Sequence, residues 1–270
     1  MPGIGQEPSI REIPATGGVL EMVVFDKLPK HDSTWGLCTG VDGTIWWGVC
    51  GEHTGGLSVF IVSYDPVTRE LDYRIECGPA LGQPPDDGHA TQSKIHYCLL
   101  PQSDGKLVCA THCSGPPINE RAWSAHRTWY DPVSCFPGSH FFTFDPESNT
   151  IDDWGIALDR EGCRCLALDE KRRKLYAITF PRNHFVVYDI ETRTLTDLGR
   201  IGEINPQAVF LDRDNNAYTT DDYGYILRYR PDEGVLERLS ARLPIEGRHR
   251  RGWHNVLYDV IPALDWSCLY

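Results

Sequence analysis

One short phrase recurs four times in this chain, as Tyr64-Asp65-Pro66, Phe144-Asp145-Pro146, Tyr188-Asp189-Ile190 and Tyr229-Arg230-Pro231, and it predicts an all-β fold of repeated four-stranded antiparallel blades, a β-propeller. Three observations carry that expectation. The last two intervals between the phrases are about 44 and 41 residues and the first is about twice that, the length of one or two blades. Each copy follows an alternating apolar run and precedes a polar turn and a further strand-like run. Helix signals are weak: Gly and Pro together number 44, and few windows hold an apolar stripe of helical period.

Taken in order, an inner hairpin precedes each phrase. The first runs from Leu37 through Asp42-Gly43 into 44–50, and the second from Ile95 to Leu100, through Ser103-Asp104-Gly105, into 106–112. A third runs 163–168, turns on the charged stretch 169–174 and returns over 175–180. A fourth pairs 208–211 with 217–220. Asp-Gly between alternating runs is the strongest local hairpin signal, and two of these four carry it. Fourth strands follow at 71–75, 150–154, 194–198 and 235–239. The blades therefore span about 34–76, 94–155, 162–200 and 206–240. A fifth repeat is incomplete over 255–270, with 9–25 available to complete it. The whole chain reads as one domain, about five repeats being visible.

Composition narrows the partners. The net charge of −12 argues against a nucleic-acid ligand held through phosphates, and no apolar run is long enough to cross a membrane as a helix. An anionic ligand stays open, because a local cluster of Arg and His binds a carboxylate on an acidic protein. The polar start, 1–14, lacks a secretory leader, so the expected place is the cytoplasm, or outside the cell if a leader precedes this sequence. The expected state is a monomer. The ten cysteines lie largely in strand-like runs and at spacings unlike a structural zinc site, so reduced buried thiols are expected, and no cofactor or metal is.

Register arithmetic locates the candidate site. With the second turn centred near Asp104, residues whose numbers sum to about 208 face each other, which brings His96 and His112 to one rim. Two imidazoles there suit proton transfer or a pair of metal ligands, with two satisfied surface histidines as the alternative. The third hairpin places Arg164 and Arg182 at the equivalent rim, with His184 close by, as forks for a carboxylate. His53 and Glu52, Asp221 and Asp222, and His254 after Trp253 reach the same rim in other blades. Arg248-His249-Arg250-Arg251 forms a local basic patch. The long loop 114–138 brings Trp129 and Tyr130 over the rim, as a sugar-stacking lid or as a small satellite core. Tyr176 lies deeper, where core packing is the plainer role. There is no nucleophile elbow, phosphate-binding loop or zinc-protease helix.

The stretches Lys94-Ile95-His96, Asp104-Gly105-Lys106-Leu107, Ala110-Thr111-His112 and Lys174-Leu175-Tyr176-Ala177-Ile178-Thr179-Phe180-Pro181-Arg182-Asn183-His184-Phe185 resemble the β-propeller polysaccharide lyases, ulvan and rhamnose–glucuronate lyases among them. The resemblance covers about 34–200. It implies a seven-bladed parent ring of which this chain holds a part, and β-elimination at a uronic acid in an anionic glycan. In that scheme His96 and His112 bind substrate and move protons, Arg182 neutralises the uronate, and a tyrosine, here Tyr176, completes the set. Arg164, His184, His53, His254 and Trp129 then contact substrate. One departure is plain: Arg164 stands where the family tyrosine aligns. Alternatives are a non-catalytic propeller that binds carbohydrate or protein, and a metal-dependent lactonase or hydrolase using Glu52, Asp221 or Asp222.

Overall fold

The computed structural model describes residues 9–15, 18–24, 28, 30–52, 57–115, 125–244, 256–261, 263 and 268. The strands β1 (Ser9–Ala15) and β2 (Gly18–Val24) pair with each other. Four antiparallel four-stranded sheets follow. The first blade is β3 (Ser33–Thr39), β4 (Ile45–Cys50), β5 (Phe60–Tyr64) and β6 (Leu71–Glu76). The second is β7 (Leu99–Pro101), β8 (Leu107–Ala110), β9 (Gly138–Asp145) and β10 (Thr150–Asp159). The third is β11 (Gly162–Asp169), β12 (Lys174–Phe180), β13 (His184–Asp189) and β14 (Thr194–Arg200). The fourth is β15 (Phe210–Leu211), β16 (Ala217–Thr220), β17 (Tyr225–Arg230) and β18 (Val235–Arg242).

Strands follow chain order from the inside of each blade outwards, and the first strands of neighbouring blades touch: β3 with β7, β7 with β11, β11 with β15. That is β-propeller architecture. Leu257 docks on the fourth blade, its N–H on Thr220 Oγ1 and its carbonyl accepting from Gln207 N–H. The remainder of the expected fifth repeat lies largely outside the described residues. The cysteines are free thiols and eight are buried. Their placement is steric: inner strands converge, and small side chains such as Cys98, Cys109, Ala110, Cys163 and Cys165 fill space that larger ones would overpack.

The recurrent phrase has a local cause. Asp65 accepts the N–H groups of Val67 and Thr68, Asp145 those of Glu147 and Ser148, and Asp189 that of Thr192. Each aspartate closes the turn between the third and fourth strands of its blade. In the fourth blade Arg230 takes that place and pairs instead with Glu233 and Glu237. A second device repeats in the two central blades. His140 Nδ1 donates to Asp153 at 2.9 Å, and His184 Nδ1 to Asp197 at 2.7 Å. Each aspartate also accepts the N–H of a left-handed glycine two residues on, Gly155 or Gly199. Burial would raise the Asp153 pKa, but these bonds outweigh it and the net shift is downward.

Neighbouring blades are also clasped at the rim that holds the hairpin turns. Arg74 reaches Asn149 and the Pro146 carbonyl, Ser103 binds Glu170, and Arg172 binds Asp232 and the Asp214 carbonyl.

The second inner hairpin departs from the expected register. Leu99↔Cys109, Leu100↔Val108 and Pro101↔Leu107 keep the predicted sum, but the next pair is Lys94↔His112. Residues 95–97 leave the ladder. Ile95 fills space beside two glycines of the first blade, where a Cβ on Gly36 would stand 2.9 Å from its Cγ2 and a Cβ on Gly48 2.9 Å from its Cβ. Tyr97 joins the third blade in a parallel bridge with Cys165, its N–H on the Arg164 carbonyl and its own carbonyl accepting from Leu166. We expect Gly48→Ala to cost about 1–3 kcal/mol in chemical denaturation through this overpacking; an unchanged midpoint would show that Ile95 yields freely.

Candidate functional site

The break at 95–97 points His96 at His112. Their ring centroids are 5.7 Å apart at 70°, at the rim opposite the hairpin turns, where Gly162 pairs with Phe180. His96 is 0% exposed and His112 2%. Gly162 makes room for the second ring, since a Cβ there would lie 2.0 Å from His112 Nδ1. Neither nitrogen of His96, nor Nδ1 of His112, has a hydrogen bond of ordinary geometry among the described residues. Buried polar atoms left in this state cost about 1–3 kcal/mol each and call for an explanation.

Both imidazoles are held neutral. Burial lowers the His96 pKa far below its ordinary value, with the charges of Arg164 and Lys94 adding to the effect and the Arg164 backbone opposing it slightly. Burial, His96, Arg164 and Lys94 act on His112 in the same direction. The cations themselves are buried. Lys94, 2% exposed, donates to Glu52 at 2.6 Å and lies 4.1 Å from the Trp35 ring centre. Trp35 donates from Nε1 to the same Glu52 oxygen at 3.0 Å and stacks its other side on His96 at 4.6 Å. Arg164 donates from Nε to Gln207 at 2.9 Å and lies 5.4 Å from the Phe180 ring centre. Among the described residues, no carboxylate lies within ion-pair distance of Arg164. Tyr97 meets His96 edge-on at 4.6 Å, and burial, together with Tyr258 and Asp259, raises its phenol pKa.

The structure thus gathers His96, His112 and Arg164, and it places the other expected residues elsewhere. Arg182 is 56% exposed and pairs with Glu161 at 3.0 Å. Together with His184 and its partner Asp197 it lines a separate pocket of about 160 Å³. The reason is a bulge: pairing of β11 with β12 slips between Cys163 and Cys165, so Arg164 is the extra residue and is turned towards the histidines. Tyr176 is wholly buried and donates to Asp169 at 3.2 Å, beside the hairpin turn at the far end of its sheet. The tyrosine near the imidazoles is Tyr97.

Trp129 sits on a single π-helical turn, His126–Tyr130, and packs on His112, Phe180 and Phe136 as a satellite core over the pair. Tyr130 is exposed. His53, His254 and the basic run 248–251 lie outside the described residues. Glu52, Asp221 and Asp222 do not meet: Asp221 binds Arg238, and Asp222 accepts the N–H groups of Glu203 and Ile204. No cluster of three metal-ligating side chains occurs among the described residues, and the two cations beside the histidines repel a divalent ion. Trp35, Tyr97 and Gln207 escaped the sequence reading, and Lys94 entered it only as part of the Lys94-Ile95-His96 stretch. In a regular pleat His96 and Tyr97 would face opposite ways, and only the broken ladder lets both serve one site.

No family model and no curated protein matches the chain. Among solved structures it is similar to the extracellular domain of a proposed one-component system from B. thetaiotaomicron, with TM-score 0.52 and 12% identity over 94% of this chain and 29% of that one. It is also similar to a protein from Lactobacillus plantarum, with TM-score 0.50 and 11% identity over 86% of this chain and 63% of that one. This chain therefore spans less than two thirds of either. At such identities the likeness is one of fold, and neither is described as a polysaccharide lyase.

A pH effect follows from the neutral pair. Unfolding restores an ordinary pKa near 6.5, so below that pH the unfolded chain binds more protons and stability falls as pH falls. Each imidazole should contribute roughly 1.4 kcal/mol per pH unit to that slope. We expect His96→Gln to flatten the fall measured by urea denaturation between neutral pH and mild acid; an unaltered slope would show that His96 protonates freely in the fold.

Proposed function

We propose that this propeller binds a uronic-acid-containing glycan at Arg164, His96 and His112 and cleaves it by β-elimination. The observation that carries the reading is the facing pair of neutral imidazoles, three of whose four nitrogens lack an ordinary hydrogen bond among the described residues, beside a guanidinium with no carboxylate in ion-pair contact there. The chemistry requires that combination. The proton on C5 is weakly acidic until the adjacent carboxylate is neutralised, and Arg164 supplies a fixed charge for that purpose. A neutral imidazole then accepts the C5 proton. The electron pair forms the C4–C5 double bond as the C4–O bond breaks, and the departing oxygen takes a proton. Tyr97, with its phenol held protonated by burial, is the donor beside His96. It stands in for the tyrosine that the lyase resemblance leads one to seek at Arg164.

A second reading has its own observation. His96 and His112 are buried beneath Trp35 and Trp129, an arrangement equally suited to a propeller that binds glycan without turning it over. Incubation with uronate glycans separates the two by the ultraviolet absorbance of the unsaturated product. Catalysis predicts product formation, lowered about 10²–10⁴-fold in kcat/KM by His96→Ala or Arg164→Ala. Binding by calorimetry with no product from any uronate glycan would reject the lyase reading and leave the binding one.

A further inference from the structure

A cavity of about 290 Å³ adjoins the guanidinium on the side of the propeller axis. Two residues belong to both places. Tyr97 lines the cavity and meets His96, and Gln207 lines it and holds Arg164 Nε at 2.9 Å. Beyond them the walls are mostly apolar, with Leu99, Leu166, Val209 and Phe210 among them, and Asp259 is the one acidic residue of the lining. Inner strands of four blades contribute, through Leu37 of β3, Leu99 and Leu100 of β7, Cys165 and Leu166 of β11 and Phe210 of β15, and the segments 207–209 and 259–260 complete the wall. A plain polyuronate carries hydroxyls and carboxylates on every residue, and an apolar chamber beside its carboxylate site would strip them of water without returning hydrogen bonds.

We propose that this cavity is a binding subsite for an apolar substituent, and that the preferred ligand is an amphipathic carboxylate: a uronic acid linked to an aromatic or alkyl group rather than to a long run of sugars. The inference rests on the carboxylate reading of Arg164. The carboxylate meets the guanidinium, Gln207 fixes the guanidinium plane, and the apolar group enters between the inner strands. Burying an aromatic ring there is worth more than a tenfold gain in affinity, since apolar area removed from water dominates such contacts.

The test compares phenyl glucuronide, methyl glucuronide and phenyl glucoside by isothermal titration calorimetry on the full chain. The expected result is phenyl glucuronide binding at least tenfold more tightly than methyl glucuronide. Ala208→Phe, which fills the cavity from a half-buried position, should abolish that difference while leaving methyl glucuronide unchanged, and Leu37→Asp, at an exposed edge of the lining, should reduce it. Arg164→Ala should weaken both glucuronides and leave phenyl glucoside unaffected. Equal affinities for phenyl and methyl glucuronide overturn the subsite and leave the carboxylate site standing. Phenyl glucoside binding as tightly as phenyl glucuronide overturns the carboxylate role of Arg164 and leaves the apolar cavity. No binding of any of the three overturns both.

Discussion

The inner strand of the second blade has to serve three blades at once, and the rest of the site depends on how it does so. It pairs with its own hairpin over Leu99–Pro101, fills the glycine seam of the first blade with Ile95, and bridges to the third blade with Tyr97. A regular ladder could meet only the first of these demands. Three residues therefore leave the pleat, and His96, in the middle of them, is freed from strand alternation. The bulge at Arg164 is the matching irregularity on the facing strand. Both irregularities lie at the edge of the sheets that holds the candidate site.

Burial then sets the chemistry. An imidazole in water near neutral pH is divided between charged and neutral forms, whereas the two here are held in one form by desolvation and by two neighbouring cations. The cations do not annul each other's usefulness. Lys94 is paired with Glu52 and packs on Trp35, which stacks on His96, while among the described residues Arg164 has an amide partner and the face of Phe180 but no carboxylate in ion-pair contact. A buried cation in direct contact with a carboxylate is thus set apart from one without such contact among the described residues.

Much of this was legible in the chain. Alternation and the Asp-Gly turns give the strands to within a few residues, and the repeated aspartate marks the same turn in three blades. Register arithmetic placed His96 near His112, though their ladder partner is different: His112 pairs with Lys94. What pattern reading could not supply was every feature that depends on a break in the pattern. Arg182 and Arg164 look equivalent until the bulge turns one to the histidines and leaves the other to Glu161. Tyr176 and Tyr97 are both strand tyrosines, and only the hydroxyl partner of the first, Asp169, shows which end of the sheet it faces. Glu52 was placed at this rim by the first hairpin, whereas Trp35 joins the site through tertiary stacking on His96, for which no sequence spacing is diagnostic.

Polar clasps join neighbouring blades at both rims: Arg74 to Asn149, Ser103 to Glu170 and Arg172 to Asp232 beside the turns, and Lys94 to Glu52 and Arg164 to Gln207 beside the imidazoles. The sheets are thus tied along both edges. Around the imidazoles these ties are joined by aromatic faces and by the Tyr97–Cys165 bridge. A solute that reaches the buried imidazoles therefore has to displace the indoles of Trp35 and Trp129 that pack on them, rather than spread the blades.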